Sequence, residues 1–202
     1  MNKGRVAVLL SGRGSNFAAM VRASRNPGSN FAVRLVLCDR PDAPGLKKAA
    51  RFGIPAYQIN PRQFPYKAAY ENEICACLER ENIELICLAG YMRLVGPVLL
   101  ARYPQRIMNI HPALLPSFPG LDAQQQALGY GVKISGCTVH FVDAGTDSGP
   151  VIAQRAVAVR EGDSAEALSR RILRQEHRLY PWAISRFFSG RLQIRGRTVI
   201  IM

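Results

Sequence analysis

Short apolar runs and longer amphipathic stretches alternate along the first half of the chain. The apolar runs lie at residues 6–10, 31–38, 54–59, 85–88 and 107–111. They have the length and composition of strands that are buried on both faces of a sheet. The stretches between them have helical character and lie at 17–25, 45–52, 65–81 and 96–102. Strands that alternate with helices predict an α/β fold with a mostly parallel, twisted, Rossmann-like sheet flanked by helices.

The second half of the chain begins with a helix and then changes to consecutive strands. The pattern predicts a helix, two strands with a hairpin-like connection, a long helix and a short C-terminal β extension, at 122–128, 135–142, 151–159, 164–188 and 192–201. Asp163 stands three residues before Glu166, which predicts a cap for the long helix, and Pro181 predicts a kink in it. Since no linker or repeat interrupts the pattern, we expect a single domain over residues 1–202.

The composition is that of a globular protein without a membrane segment. Of the 202 residues, 48% are hydrophobic, which is enough for a sizeable core. No apolar run approaches the length of a membrane span, and the first run is too short for a signal peptide. The five cysteines form no CxxC pair, and Cys75 and Cys77 would diverge on a helix. We therefore expect reduced core cysteines, no metal, no membrane contact and a cytoplasmic location.

The formal charge of +13 raises the question of nucleic-acid binding. Arginine supplies most of this charge, and its positions are scattered over the whole chain. The densest group lies on the long C-terminal helix and comprises Arg170, Arg171, Arg174 and Arg178. Such a group is typical of a solvated helix face. We therefore expect anionic small substrates rather than nucleic acid.

A glycine-rich turn at residues 11–16 connects the first strand to the first helix. Glycines let the backbone approach a ligand, and N–H groups at a helix start attract phosphate. Phe17 stands where a dinucleotide fingerprint has its third glycine, and no Gly-Lys-Ser/Thr of a Walker A loop follows. We expect a monophosphate site at Gly14, Ser15 and Asn16, with Ser15 or Asn16 as the helix cap. The alternative is a tight turn without a ligand.

Asn109 and His111 lie at the end of the fifth predicted strand. Pro112 cannot continue a strand and biases His111 toward an extended backbone. Because the two residues are two positions apart, they leave the strand on the same face. An amide that holds a developing oxyanion and an imidazole that moves a proton are what acyl transfer requires. The alternative is a purely structural histidine.

Asp147, in the sequence Asp-Ser-Gly-Pro, has two interpretations. It is either a turn-forming aspartate or a carboxylate that folds back onto His111, orients the ring and raises its pKa. The strand pattern around His140 favours a structural role for that residue. His177 is either structural or helps to place Glu176.

Five motifs carry a family resemblance. They are the glycine-rich turn with its preceding strand (VLLSGRGSN, 8–16), LAGYMRL (88–94), NIHPALLPSFPG (109–120), VHFVD with DSGP (139–143 and 147–150) and QEH (175–177). In this order and spacing they resemble the glycinamide ribonucleotide (GAR) formyltransferase family, and the resemblance covers roughly residues 5–195. It implies a folate-dependent formyltransferase whose N-terminal half binds the GAR phosphate and whose C-terminal half binds folate and performs catalysis.

The resemblance implies a reaction in de novo purine (IMP) biosynthesis. The formyl group of 10-formyltetrahydrofolate, a co-substrate, passes directly to the amine of GAR through a tetrahedral intermediate, giving formyl-GAR and tetrahydrofolate. Asn109 would hydrogen-bond the formyl oxygen as it becomes anionic. His111 would assist proton transfer, and Asp147 would orient and charge His111.

The resemblance also implies the substrate contacts. GAR would contact Gly14, Ser15, Asn16, Leu173, Arg174, Gln175 and Glu176, with Glu176 near the ribose. Folate would contact Lys67, Met92, Arg93, Leu94, Val95, Asn109, Asp143, Ala144, Gly145, Thr146 and Asp147. Among these, Lys67 matches a basic position that meets the acidic end of the folate.

Other members of the same superfamily are alternatives. Formyltetrahydrofolate hydrolase has an extra N-terminal regulatory domain, whereas the first strand here begins at residue 6. Methionyl-tRNA formyltransferase usually has Arg-Gly where this chain has Phe118-Pro119-Gly120, and it carries a C-terminal RNA-binding domain. A non-catalytic nucleotide- or RNA-binding module would use the positive charge of the chain instead of His111.

Asp122 departs from the family pattern, since many members have histidine at this position. We expect a monomer or a homodimer.

Overall fold

The computed structural model describes residues 3–202 and divides the chain into two compact units. The first unit ends at Met108, and the second unit is Asn109–Met202. The expectation of one domain over residues 1–202, with phosphate binding in its N-terminal half and folate binding and catalysis in its C-terminal half, stays a prediction.

The first unit has four strands in the order β3-β2-β1-β4, and every neighbouring pair is parallel. The strands are β1 (Gly4–Leu10), β2 (Phe31–Cys38), β3 (Ala56–Gln58) and β4 (Leu85–Leu88). The helices are α1 (Ser15–Ser24), α2 (Pro44–Phe52), α3 (Lys67–Arg80) and α4 (Pro97–Arg102). The run 6–10 of β1 is fully buried, as expected for an inner strand of a parallel sheet.

The starts of helices α1 and α3 each differ by two residues from the sequence prediction. Helix α1 is preceded by Gly14 at φ 64°, and neither Ser15 nor Asn16 caps it, so that prediction is wrong. The left-handed conformation at Gly14 turns the chain directly from strand into helix and leaves no separate capping residue. Helix α3 begins two residues later than predicted, and a 3₁₀ turn (Pro61–Gln63) precedes it. The predicted stop of α2 at Gly53 is confirmed, with φ 66°.

The second unit continues with strands in the order β5-β6-β7-β9-β8. They are β5 (Ile107–His111), β6 (Ile134–Phe141), β7 (Val151–Ala158), β8 (Leu192–Arg195) and β9 (Thr198–Ile201), and β5 straddles the boundary between the units. The predicted hairpin of β6 and β7 is confirmed as an antiparallel pair. The predicted C-terminal β extension is a second antiparallel hairpin, and its Thr198 pairs in parallel with Val151.

The two helices of the second unit are α5 (Ala123–Tyr130) and α6 (Ala165–Phe188). The predicted cap of α6 at Asp163 is wrong, because Ser164 occupies that position and accepts a hydrogen bond from the Ala167 N–H at 3.2 Å. The Asp163 carboxylate instead accepts from the Arg160 N–H at 2.7 Å and from the Arg171 guanidinium. Helix α6 runs on through Pro181.

The five cysteines are free and buried, which confirms their interpretation as reduced core residues. Within residues 3–202, none of the helices combines the length and the apolar character needed to cross a membrane.

Candidate active site

Strand β5 and the β6–β7 connection bring Asn109, His111 and Asp147 together. Asp147 Oδ2 lies 3.2 Å from His111 Nδ1, and Asp147 Oδ1 accepts a hydrogen bond from Asn109 Nδ2 at 3.2 Å. The predicted return of Asp147 onto His111 is therefore present in the structure. Because Asn109 and His111 share one face of β5, a single carboxylate reaches both side chains.

The segment after Pro116 completes the surroundings of His111 with backbone groups. The Phe118 carbonyl lies 2.7 Å from His111 Nε2, and the Gly120 N–H donates to Asp147 Oδ2 at 2.8 Å. Both ring nitrogens of His111 thus face oxygen acceptors, and the protonated ring can donate to both. Sequence reasoning missed these two groups as site members, because a backbone carbonyl or N–H carries no side-chain signature.

Burial and hydrogen bonding act in opposite directions on the pKa of His111, which is 4% exposed. Burial lowers this pKa below its ordinary value of 6.5 and outweighs the Phe118 carbonyl and the Asp147 charge, which both raise it. The expectation of a raised pKa is therefore wrong, although Asp147 acts in the expected direction. A lowered pKa keeps the imidazole neutral near pH 7, so that it can accept a proton.

The pKa of Asp147 is also lowered. Burial alone would raise it, but the His140 ring, the Gly120 N–H and the His111 ring lower it by more. The carboxylate therefore stays ionised at neutral pH beside a neutral imidazole. This is the charge arrangement in which a proton taken up by His111 is stabilised at once.

His140, for which the strand pattern favours a structural role, lies beside this cluster. Its Nδ1 lies 2.8 Å from the Phe141 carbonyl and donates to it, while its Nε2 lies 3.2 Å from Asn109 Nδ2 and 3.6 Å from Asp147 Oδ1. The Asn109 amide nitrogen thus lies within hydrogen-bond distance of both His140 and Asp147. The alternation of residues along β6 predicts which face of the strand His140 lies on, but it does not predict which residues contact that face.

Thr138 and Gln154 hold the chain just beyond His111. The fully buried Thr138 hydroxyl donates to the Ala113 carbonyl at 2.6 Å and accepts from the Leu115 N–H at 3.0 Å. The Gln154 amide donates to the same hydroxyl at 3.0 Å and to the Leu115 carbonyl at 2.8 Å. The turn after the strand end is thus fixed by the buried Thr138 hydroxyl, whose one donor and two acceptor positions are all used.

The loop that carries Asp147 is held from within and from the C-terminal hairpin. Asp143 Oδ1 accepts from the Gly145 N–H at 3.0 Å and from the Ser148 hydroxyl at 2.6 Å. Arg197, in the β8–β9 turn, donates to the Ser148 carbonyl at 2.9 Å. Asp147 itself has φ 51°, in the left-handed region that aspartate and asparagine enter more often than other residues with a side chain. The predicted folate-contacting stretch 143–147 is therefore a loop whose conformation is held by hydrogen bonds.

The glycine-rich turn lies in the first unit and leads into α1. Gly14 needs its left-handed φ, and a Cβ there would lie 3.0 Å from the Gly45 Cα. The Gly45 N–H donates to the Gly12 carbonyl at 3.0 Å, so α2 supports the turn from behind. Helix α1 has neither a side-chain cap nor an acidic residue in its first turn. Such a helix start is suited to an anion.

A cavity of about 880 Å³ opens in the first unit beside the segment after β4. Lys67, Met92, Arg93 and Leu94 all line it, as do Asp39, Arg40, Arg62 and Tyr70. The predicted folate position Val95 is buried and does not line it. The lining combines basic and apolar side chains with the Asp39 carboxylate, which accepts a hydrogen bond from Arg93 Nε at 3.1 Å. Apolar and basic groups together suit a ligand with a ring system and carboxylates.

The predicted GAR contacts on α6 differ in exposure. Glu176 is buried at 6% exposure, whereas Arg174 is exposed and Leu173 and Gln175 are half-buried.

Burial, with a further contribution from the Glu176 charge, raises the pKa of the Cys137 thiol to about 12. Asp122, at the position where many family members have histidine, is exposed with φ 55°.

Comparison with known proteins gives the family. The model of the formyl transferase family, described as "Formyl transferase", matches residues 4–184. The chain belongs to the formyl transferase family. It is 46% identical to the phosphoribosylglycinamide formyltransferase of Bacillus subtilis (strain 168) over 180 residues, covering 89% of this chain and 92% of that protein. Within the family, the chain therefore belongs with the phosphoribosylglycinamide formyltransferases.

Solved structures of family members agree in fold. Glycinamide ribonucleotide transformylase 1 from Symbiobacterium toebii superposes with a TM-score of 0.97 at 50% identity, covering 99% of this chain and 94% of that chain. The predicted α/β fold with a mostly parallel sheet flanked by helices is thereby confirmed. A formyltetrahydrofolate deformylase from Pseudomonas syringae pv. tomato superposes with a TM-score of 0.91 at 24% identity, covering 100% of this chain and 66% of that chain. This second likeness concerns the fold alone.

Proposed function

We propose that this formyl transferase moves the formyl group of 10-formyltetrahydrofolate to the amine of glycinamide ribonucleotide, a step of de novo purine biosynthesis. The observation that carries the proposal is the joining of Asn109, His111 and Asp147 through one carboxylate at the end of β5. Membership among the phosphoribosylglycinamide formyltransferases supports the choice of substrates.

The cluster has the groups that direct formyl transfer needs. The GAR amine attacks the formyl carbon, a new C–N bond forms, and the formyl oxygen becomes an oxyanion in the tetrahedral intermediate. One N–H of the Asn109 amide turns to this oxyanion. His111 takes the proton that the attacking amine loses and delivers it to N10 of the folate as the C–N10 bond breaks. Asp147 stabilises the imidazolium that exists between these two transfers.

GAR binding is proposed at the glycine-rich turn and on α6. The phosphate binds the backbone at Gly14, Ser15 and Asn16, where the helix start has no acidic side chain in its first turn. Leu173, Arg174, Gln175 and Glu176 contact the rest of GAR. The buried Glu176 carboxylate accepts hydrogen bonds from the ribose hydroxyls.

Folate binding is proposed at the segment 92–95, the loop 143–147 and Lys67. The cavity in the first unit supports this assignment, because Met92 and Leu94 offer apolar surface while Lys67 and Arg93 offer positive charge. These groups fit an aromatic ring system and glutamate carboxylates respectively. Asn109 and Asp147 would contact the pteridine end and its formyl group.

Hydrolysis of 10-formyltetrahydrofolate is the competing function. The test is an absorbance assay of formyl-folate consumption with and without GAR, using wild-type protein and His111→Ala. GAR-dependent consumption with formation of formyl-GAR supports transfer. Equal consumption without GAR would instead assign the protein to hydrolysis.

We further propose a cytoplasmic monomer or homodimer that contacts no membrane and no nucleic acid. The free, buried cysteines support a reducing compartment. Analytical ultracentrifugation distinguishes the two oligomeric states. Retention of RNA at physiological salt would contradict the proposal on nucleic acid.

A further inference from the structure

Helix α3 presents three side chains to the segment that follows β4. Lys67, Tyr70 and Glu71 are spaced as i, i+3 and i+4, so they share one face of the helix. The Tyr70 hydroxyl lies 2.8 Å from the Tyr91 hydroxyl, and the Arg93 guanidinium lies 5.8 Å from the centre of the Tyr70 ring. Glu71 makes the contacts that remain to be explained, because neither the reaction nor substrate binding uses it.

Glu71 is a buried carboxylate, 2% exposed, whose two oxygens contact the start of α4. Oε1 accepts from the Gly96 N–H at 2.5 Å, and Oε2 lies 3.5 Å from the Leu99 N–H. Gly96 precedes the helix and has no side chain to cap it. A helix of six residues is too short to be stable by itself. The carboxylate of α3 therefore acts as the cap of α4 from outside.

Gly96 is required here for space and not for its backbone conformation. Its φ is −104°, which any residue adopts. A Cβ at this position would lie 2.5 and 2.7 Å from the two Glu71 oxygens and 2.7 Å from Lys67 Cε. Gly96 and Glu71 are thus a matched pair, in which the missing side chain of one makes room for the carboxylate of the other.

The segment 92–95 is fixed at its other end by Ser11. The Met92 N–H donates to the Ser11 hydroxyl at 3.0 Å, and the Ser11 N–H donates to the Gly90 carbonyl at 3.0 Å. The segment is therefore held between a hydroxyl that follows β1 and the carboxylate of Glu71. If one of these attachments is lost, Met92 and Leu94, whose side chains are 53% and 62% exposed, have little packing to keep them in place.

We propose that Glu71 is a positioning residue for folate binding: by capping α4 at Gly96 it holds the segment 92–95 in the shape that receives the folate. This inference rests on the proposed function for the identity of the ligand. Glu71 does not touch substrate. Its effect should fall mainly on the folate side. Gly45 supports the glycine-rich turn proposed for GAR, and the substitution leaves the contacts of Ser11 with Met92 and Gly90 in place.

The test is steady-state kinetics of Glu71→Gln, with Glu73→Gln as the matched control on the exposed face of the same helix. Glutamine keeps the size of the side chain but loses the charge and replaces one acceptor by a donor. We expect KM for 10-formyltetrahydrofolate to rise on the order of tenfold. The KM for GAR and kcat at saturating folate should stay within about twofold of wild type. Glu73→Gln should match wild type in all three parameters.

A rise of both KM values together, a fall of kcat alone or no change in Glu71→Gln would overturn the inference. If this variant does not fold, Gly96→Ala tests the same contact, since its new methyl group displaces the carboxylate while the charge remains. It should show the same selective rise in KM for folate. Calorimetric titration with tetrahydrofolate alone tests the positioning role of Glu71 separately from the proposed formyl transfer to GAR. Weaker binding to Glu71→Gln in a protein that transfers no formyl group to GAR would leave this inference standing and reject the proposed function.

Discussion

Asp147 Oδ2 lies 3.2 Å from His111 Nδ1, and the same oxygen accepts the Gly120 N–H at 2.8 Å. The carboxylate is therefore anchored to backbone before it meets the imidazole. The carboxylate can therefore hold the imidazole in a fixed orientation. Its other oxygen remains available for Asn109. An anchored carboxylate of this kind is a preorganised charge, which is more effective than a mobile one.

Replacing His111 by alanine should lower kcat by about 10²- to 10⁴-fold, because it removes the group proposed to carry the proton between the amine and the folate. The fold should persist, since Ile110 and Ala113 on either side remain buried. Stopped-flow or steady-state absorbance assays measure the loss, and circular dichroism checks the fold. Turnover close to that of wild type in a folded variant would reject the catalytic role of His111.

Asp147→Asn should lower the pKa of His111 further. Asp147 raises this pKa in the wild type, so removing its charge leaves burial opposed by the Phe118 carbonyl alone. In the wild type the acid limb of kcat/KM should lie below pH 6.5, where the neutral imidazole is lost, and in the variant the limb should move to lower pH. An NMR titration of the His111 ring measures the pKa directly.

Asp122→Asn is the matched control for this substitution. Asp122 is also an aspartate with a left-handed backbone, at φ 55° compared with 51° for Asp147, but it is exposed. Its replacement should change neither the rate nor the titration of His111. An acid limb that moves to higher pH in Asp147→Asn, or one that moves equally in both variants, would contradict the assigned interaction.

His140→Leu should lower kcat on the order of tenfold, because the Asn109 amide loses the ring nitrogen that lies 3.2 Å from its Nδ2 and helps to orient it. The effect should depend on Asn109. In a double-mutant cycle with Asn109→Ala, the second substitution should add little to the first. Additive losses would mean that His140 acts independently of the amide.

Gly14→Ala should raise KM for GAR and leave KM for the folate unchanged. The new methyl group meets the Gly45 Cα at 3.0 Å, and φ 64° is unfavourable for alanine by about 1–2 kcal/mol, so the turn must shift. Gly28→Ala, where a methyl group has open space, is the control. Inorganic phosphate should compete with GAR in the wild type and less well in Gly14→Ala. Unchanged GAR kinetics would place the phosphate elsewhere.

Thr138→Val should destabilise the protein by about 1–3 kcal/mol, because it leaves the Ala113 and Gln154 partners of the buried hydroxyl without their hydrogen bonds. Thr138→Ser keeps the hydroxyl and should retain most of the stability. Urea denaturation measures the free energy of unfolding of both variants. Equal stability of the two variants would show that the hydroxyl is dispensable.

Local patterns predicted the elements of this fold more reliably than the contacts between distant residues. The strands at 31–38, 85–88 and 107–111 have the predicted bounds, because continuous apolar runs bracketed by polar residues define buried strands. Helix starts were less accurate, since a left-handed Gly14 replaces the side-chain cap that the sequence suggested at Ser15 or Asn16.

In the site, the spacing of Asn109 and His111 correctly placed both on one face. The direction of the His111 pKa depends on how deeply the ring is buried, and no local pattern reports that depth. The proximity of His140 to Asn109 was not predicted for a related reason. Strand alternation gives a face, but its contact with Asn109 arises between residues 31 positions apart.

The C-terminal hairpin has a practical consequence for anyone who shortens this protein. The match to the family model ends at residue 184, before the hairpin begins at Leu192. A fragment trimmed to that boundary would keep Asp147 and discard Arg197, whose bond to the Ser148 carbonyl braces the neighbouring peptide. Removal of the hairpin would then change the reaction rate through the loop that carries Asp147, at a distance from the reacting groups.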